Sequence, residues 1–498
     1  MYKIDPNIDN SKIKFNEFKD KILEDYKLAV LSRETSLLGR KEVLTGKAKF
    51  GVFGDGKELP QVVLNHFFKE GDFRAGYYRD QTILMGQNLL TPKQFFSALY
   101  ANPNLKEEPM SGGRQMGAHF FTPSINPRGE WLDLTCQFNH SSDISPTAGQ
   151  IPRSIGLALA SKIYRNIDSD IKNKFTVRGN EICWATIGNA STSQGIFFEA
   201  MNAAAVIQIP LIMSVWDDGY GISVDNKIQT VKSSISEALM GFSSINKDKP
   251  LKIFRVNGWD YSKLIEVYSE AEKIARKDHT PVLIHVDELT QPLGHSSSGS
   301  HQRYKSEKRL NWEKEFDCNV KFKQWIIENN LGTQNELKDI EESCIKIVKE
   351  SKVKAWESYQ KPIIDLNLEL IGILNKILIS SNNDVNLKIW IENLKSKKEF
   401  IYKDLLNVAN KTVRKFRKTN IKDLIVLKNW IKNLHEILQP KFNSHLYSQT
   451  KFKSKNIETV SPRYNDDKKV DGRIIIRDNF KSLMEKNNKI LLFGEDVG

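Results

Sequence analysis

Two short apolar runs, 182–187 and 211–215, each end in a polar glycine turn, and a helix-forming stretch joins them. The first passes into Gly188-Asn189-Ala190-Ser191. The second, opened by Pro210, ends in Asp217-Asp218-Gly219-Tyr220. Between them Phe197, Met201 and Val206 recur at helical spacing. A strand, a crossover helix and a second strand in one sheet run parallel and right-handed. Both turns then leave the same carboxyl edge, where open α/β sheets bind ligands. The same rhythm recurs over 251–286, so the expected fold is an α/β, doubly wound parallel sheet across 50–310.

The two turns carry complementary chemistry. Asn189 offers an amide oxygen, Asp218 a carboxylate and Tyr220 a backbone carbonyl. These hard oxygen donors suit Mg²⁺ rather than zinc or copper. The N–H groups of Ala190 and Ser191, just past Gly188, suit a phosphate. A magnesium-bridged diphosphate uses both turns at once. An ordinary βαβ unit with polar turns explains the spacing but not this donor set.

Tyr78 and Arg79 stand side by side. A guanidinium gives a diphosphate a permanent cation with a bidentate fork, although a surface Tyr-Arg pair reads the same in isolation. Ser145-Pro146-Thr147-Ala148-Gly149-Gln150-Ile151-Pro152 is a turn into a helix starting near Arg153. Its hydroxyls and free carbonyls suit an aminopyrimidine ring, and equally an ordinary helix cap. Gly294-His295-Ser296 opens a Gly/Ser loop past the strand expected at 282–286. There His295 can serve as acid, base or hydrogen-bond donor. The glycine-rich loop from Gly112 to His119 lines a channel or lets two backbones approach.

The chain holds no run of eighteen apolar residues, so no membrane span is expected. Its N-terminus lacks the apolar core of a signal peptide. Cys136, Cys183, Cys318 and Cys344 form no close pair and no metal spacing, which predicts reduced thiols in a cytoplasmic protein. The net charge is +13, and residues 361–460 hold 19 Lys and Arg against 9 Asp and Glu, hence +10 of the excess. The rest is nearly balanced, which argues against a general nucleic-acid surface. A polyanion-binding scaffold built on Arg414-Lys415-Phe416-Arg417-Lys418 would account for that stretch alone.

Along the chain, 1–49 reads as a helical segment with Phe15, Phe18, Ile22, Tyr26 and Ala29 on one face. The α/β domain spans 50–310, further helices 311–362, a basic helical insert 363–438 and a linker 439–471. A new unit begins at 472: residues 473–480 lead into a short helix, and 489–498 read as a buried parallel strand opening a second, truncated α/β domain.

Taken in order, these pieces resemble the thiamine-diphosphate-dependent first component of the 2-oxo acid dehydrogenase complexes. Tyr78-Arg79 matches the family's diphosphate-binding pair. Gly188-Asn189-Ala190 through Asp218-Gly219-Tyr220 matches its metal motif, and Gly294-His295-Ser296 the foot of its regulatory loop. The family's motif opens Gly-Asp-Gly and closes Asn-Asn. Here Asn189 and Asp218 exchange amide and carboxylate, which leaves the formal charge toward the metal unchanged. Gly54-Asp55-Gly56 spells the opening literally but lacks the closing turn, so it is expected to build a pocket wall. Gly149 stands where the family has a threonine at a potassium site.

The resemblance covers about 55–355 and implies thiamine diphosphate and Mg²⁺ as cofactors. It implies Asn189, Asp218 and Tyr220 as metal ligands and His295 as the group nearest the chemistry. It further implies decarboxylation of a 2-oxo acid and transfer of the acyl group to the lipoyl group of a second component. Gly113-Arg114-Gln115-Met116 and the 145–152 turn lean toward branched-chain acids such as 3-methyl-2-oxobutanoate, with pyruvate next. A transketolase-like enzyme would share the cofactor but transfer a glycolaldehyde unit. Residues 470–498 resemble the start of the family's β subunit. The implied partner is therefore a β-subunit-like domain beyond 498, in the same chain or in trans, within a homo-oligomer of fused α–β chains. That domain supplies the family's glutamate for the pyrimidine ring, for which Glu495 lies too early.

Overall fold

Among the described residues, six parallel strands form one sheet: β1 (Phe73–Ala75), β2 (Asn139–His140), β3 (Cys183–Gly188), β4 (Leu211–Trp216), and two that follow a small antiparallel pair. That pair is β5 (Tyr220–Gly221) with β6 (Val224–Asp225); the two strands after it are β7 (Lys252–Asn257) and β8 (Val282–Asp287). The order across the sheet is β2-β1-β3-β4-β8-β7. Helix Gly195–Ile207 joins β3 to β4, whose parallel register runs from Cys183 opposite Leu211 to Gly188 opposite Trp216. The expected runs at 182–187, 211–215 and 282–286 thus appear as β3, β4 and β8. After β1 the chain moves outward to β2; after β3 it moves the other way to β4. The edge between β1 and β3 is therefore the sheet's switch point.

Alternation along the strands sorts two cores. Trp184, Ile212, Trp216, Val282, Ile284 and Val286 face the helices Phe15–Leu44, Glu58–Phe67, Tyr261–Asp278 and Cys318–Glu328. Cys183, Ala185, Ile187, Leu211, Met213 and Val215 face Ile151–Asn166 and Gly195–Ile207. Covered on both faces, these strands are apolar at nearly every position, which is why they read as continuous runs. In Phe15–Leu44 the apolar face expected from the sequence buries Ile22, Tyr26 and Ala29, while Phe18 stays exposed.

The computed structural model describes residues 15–115, 117, 119–167, 173–244, 251–297, 300–443, 450–451, 453–463, 469–487 and 490–494. Met116 and Glu495 lie outside them. From Gln334 a single helix runs 47 residues to Ser380, through Pro362 and across the division placed at 362/363. Proline there loses one backbone bond, and the turns beside it are held by the fully buried Ala355 and Ile363. The second half of this helix joins Val385–Ser396, Tyr402–Phe416 and Asp423–Asn443 around a third core that includes Leu370, Leu374, Leu405, Leu427 and Leu434. Arg414, Lys415, Arg417 and Lys418 are exposed on it. Its last helix includes Pro440 and continues to Asn443, where a linker from 439 was expected; the proline removes one N–H donor, and the helix runs only three residues beyond it. No described helix is long and apolar enough to cross a membrane.

Residues 447–498 form a separate unit, with a helix Gly472–Lys486. The strand expected at 489–498 is corrected here: residues 490–494 form no strand, and Leu491 and Phe493 are exposed. A parallel strand exists only through bonds to neighbours, and the described residues of this unit contain none. Residues 489 and 495–498 lie outside the described set.

Leu374→Ala removes a fully buried side chain from the third core and is expected to destabilise it by about 2–5 kcal/mol, read by urea unfolding. An unchanged midpoint would show that 363–443 is not packed as described.

Candidate active site

The turn after β1 is fixed from beneath by a buried carboxylate. Asp80 accepts hydrogen bonds from the Tyr77 N–H (3.1 Å), Arg74 (3.2 Å), the Trp216 indole (3.3 Å) and the Thr186 hydroxyl. The turn is thereby tied to both β3 and β4. Gly76 is required because a Cβ would collide with Arg74 and Asp80. This presents Arg79, buried, at the switch point, where its guanidinium donates to the Phe53 carbonyl, to His295 Nδ1 (3.1 Å) and to the His295 carbonyl (2.9 Å). The half-buried Tyr78 ring lies 5.3 Å from that guanidinium. The Tyr77 hydroxyl, buried without a hydrogen-bond partner, faces Gly188 at the end of β3.

The turns after β3 and β4 meet at the peptide groups of Tyr220. Asp218 Oδ1 accepts the Tyr220 N–H at 3.1 Å, and the Asn189 amide nitrogen donates to the Tyr220 carbonyl at 3.3 Å. The other Asp218 oxygen binds the Lys57 ammonium at 2.9 Å. Lys57 is itself buried and also donates to Gln291 Oε1 (2.6 Å) and the Thr290 carbonyl (3.1 Å). Arg309 donates to the Asp218 carbonyl at 2.8 Å. The structure thus brings Asn189, Asp218 and Tyr220 together, and Arg79 to His295. Ala190 and Ser191 lie in a 3-10 turn, Asn189–Ser193, that precedes the helix.

Ser145 and Thr147 are exposed on the loop before Ile151–Asn166, a helix that begins two positions earlier than expected. Ser145 pairs with His119 Nε2 at 3.1 Å rather than with the cluster around Asp218. Gly54-Asp55-Gly56 does build a wall: Asp55 accepts the Leu293 N–H at 2.8 Å, and Gly56, at φ +81°, backs onto the Thr290 carbonyl too closely for any side chain. Sequence reasoning missed Lys57, which this turn delivers. It also missed Asp217, Asn226 and His285, which bond one another behind Asn189.

The electrostatics follow from burial and charge. Burial works to raise the Asp218 carboxyl, but Lys57, then Arg79 and Lys305, hold it below the usual carboxylate range. Burial, with the charges of Arg79 and Lys57, pushes His295 down to about 4. Near neutral pH His295 is therefore an uncharged imidazole. With Nδ1 accepting from Arg79, the hydrogen of the neutral ring sits on Nε2, where it can be donated in a hydrogen bond.

The donor set fits a hard divalent cation carrying a diphosphate: one carboxylate, one amide, one carbonyl, a neighbouring guanidinium and an unsatisfied phenol at one sheet edge. A family model described as the dehydrogenase E1 component matches residues 26–364. This chain belongs to the dehydrogenase E1 component family. It is thereby an enzyme of the thiamine-diphosphate-dependent 2-oxo acid dehydrogenase type. It is 26% identical over 313 residues to the 2-oxoisovalerate dehydrogenase subunit alpha of Bacillus subtilis (strain 168), covering 62% of this chain and 83% of the relative. It is 24% identical over 355 residues to the pyruvate dehydrogenase E1 component subunit alpha of Rickettsia felis, covering 70% and 95%. The mitochondrial 2-oxoisovalerate dehydrogenase subunit alpha of Mus musculus is 24% identical over 346 residues, covering 69% and 67%.

Lys57→Met leaves the Asp218 carboxylate of this E1-family chain buried without its ion-pair partner, and is expected to cost about 3–5 kcal/mol in urea unfolding. A loss below about 1 kcal/mol would place the pair in solvent. His295 makes a pH prediction as well. Its folded value lies below its free value of 6.5, so on acidification the unfolded chain takes up the proton first. The stability it contributes is whole above pH 6.5 and is lost as pH falls toward about 4. His295→Gln should flatten that part of the acid limb; an identical slope in the variant would contradict the assignment.

Proposed function

We propose that this protein decarboxylates a 2-oxo acid with thiamine diphosphate and Mg²⁺ and transfers the acyl group to the lipoyl disulfide of a second component, which is reduced as it is acylated. The observation that carries this reading is the meeting of Asn189 and Asp218 at Tyr220, beside Arg79 and His295 at the switch point of the sheet. The cofactor, when bound, supplies the electron sink for loss of CO₂. Asp218, Asn189 and the Tyr220 carbonyl would hold the cation. Lys57 keeps the Asp218 carboxylate in place from behind. Arg79 with Tyr78, and the backbone at Gly188, Ala190 and Ser191, would receive the diphosphate. The His295 Nε2 hydrogen is offered to an oxygen at the reacting end, while Ser145 and Thr147 are assigned to the pyrimidine side.

A branched-chain acid such as 3-methyl-2-oxobutanoate is the favoured substrate and pyruvate the next. Support comes from the loop at 113–116, the turn at 145–152 and the name of the Bacillus relative. The relatives are named as α subunits, which supports a partner domain of the β type within a homo-oligomer. The exposed basic face of the 363–438 insert is assigned to assembly rather than to nucleic acid.

Calorimetry with thiamine diphosphate and Mg²⁺ tests the site. Asp218→Ala is expected to weaken metal-dependent cofactor binding by at least about tenfold, and an unchanged affinity would overturn the ligand assignment. The 498-residue chain should release CO₂ from the branched acid only when a β-type domain is supplied. Decarboxylation by the chain alone would show that the catalytic machinery lies elsewhere.

A further inference from the structure

An asparagine can serve a cation only if its amide oxygen, not its nitrogen, faces the ion, and the two ends of an amide have nearly the same shape. A glutamate or aspartate has no such ambiguity. Asn189 therefore needs something to fix which way round its amide sits, and a buried hydrogen-bond chain behind it does so. At the far end stands Asp217, whose carboxylate has only acceptors. It takes a hydrogen from His285 Nε2 at 2.9 Å and from the Gly219 N–H at 2.8 Å. The Asn226 amide nitrogen donates to both of its oxygens, at 2.9 Å each. His285 is anchored in turn through Nδ1 to the Ser236 hydroxyl at 2.9 Å.

The consequence passes along the chain by elimination. Asn226 must turn its NH₂ toward Asp217, so it presents its oxygen to Asn189. Asn189 must then donate, and its amide nitrogen lies 2.8 Å from Asn226 Oδ1. The other hydrogen of that nitrogen is directed to the Tyr220 carbonyl at 3.3 Å. Both donors of the amide are spent, and its oxygen is left for a ligand. Asn226 is itself held by its backbone N–H, which donates to the Gly219 carbonyl at 3.0 Å. Asp217, Asn226 and His285 are all buried, so water does not compete for these bonds.

We propose that Asn226, polarised by Asp217, is a positioning residue that orients the Asn189 amide so that its oxygen faces the cation. This rests on the reading of 189–220 as a magnesium–diphosphate site. It also gives a physical role to the exchange of amide and carboxylate between 189 and 218: an amide placed first in the motif needs a dedicated orienting partner, and Asn226 is that partner.

The test is a double-mutant cycle on the full 498-residue chain, reading Mn²⁺ affinity at saturating thiamine diphosphate by electron paramagnetic resonance and calorimetry. Asn226→Leu should weaken Mn²⁺ binding by about 10- to 100-fold, as removal of a metal-site orienting group does. In an Asn189→Asp background either carboxylate oxygen can face the ion. There Asn226→Leu should cause no loss of affinity, since no amide remains to be oriented and the substitution removes the Asn226 oxygen that would face the new carboxylate. Asp217→Asn, which keeps the shape but lets either end of Asn226 face it, should follow the same pattern and guards against a folding defect in the leucine variant. Equal losses in both backgrounds would show a merely structural role and overturn the inference. So would an unchanged affinity in Asn226→Leu while the unsubstituted chain binds. Failure of the unsubstituted chain to bind Mn²⁺ with thiamine diphosphate would overturn the site reading itself, and the inference with it.

Discussion

The parallel register that sets Gly188 opposite Trp216 governs where every other functional group can stand. Parallel neighbours must finish at the same edge, and each is followed by a turn there. β1 pairs with β3 on one side, and β8 pairs with β4 on the other. Four consecutive positions in the sheet therefore deliver their following turns to one rim. Arg79 comes from the first, Asn189 from the second, Asp218 from the third, and Gln291 with His295 from the fourth. Residues far apart in sequence become neighbours through strand order alone. The helices on both faces are what make such a fully covered sheet stable.

That rim concentrates charge in a region with little water, which is unfavourable unless each charge is matched. Two devices do the matching. Asp80 gathers Arg74, Tyr77, Trp216 and Thr186 beneath the Arg79 turn, and Lys57 closes on Asp218 with two further acceptors of its own. Among the described residues, the Tyr77 hydroxyl and Asp55 Oδ1 are buried near the rim without a hydrogen-bond partner. A site whose supporting bonds are already made binds without rebuilding itself. The uncharged state of His295 belongs to the same economy, because two cations beside it leave no room for a third.

Much of this was legible in the sequence, for identifiable reasons. β3, β4 and β8 announce themselves because burial on both faces makes them apolar throughout. The site turns are legible because glycine and short polar residues follow directly. β1 and β2, at three and two residues, carry no periodic signal, and Arg74 within β1 looks like a surface residue although it is fully buried. Lys57 and Asn226 were not legible, since their roles depend on contacts across loops that no local spacing encodes. The run at 489–498 shows the opposite error: apolar composition does not reveal whether a strand has neighbours to bond. Pro440 misled in a similar way: a proline removes one N–H donor but does not by itself end a helix, as Pro362 inside Gln334–Ser380 also shows.

The central claim is that a single cation is held between the turns that follow β3 and β4. The most direct measurement is a crystal of this chain grown with Mn²⁺ and thiamine diphosphate, examined by anomalous scattering. One strong peak is predicted, coordinated by Asp218, the Asn189 amide oxygen and the Tyr220 carbonyl, with the diphosphate on its open side. A cofactor bound with Lys57 alone against Asp218 and no metal peak there, or a peak at any other set of residues, would contradict the account.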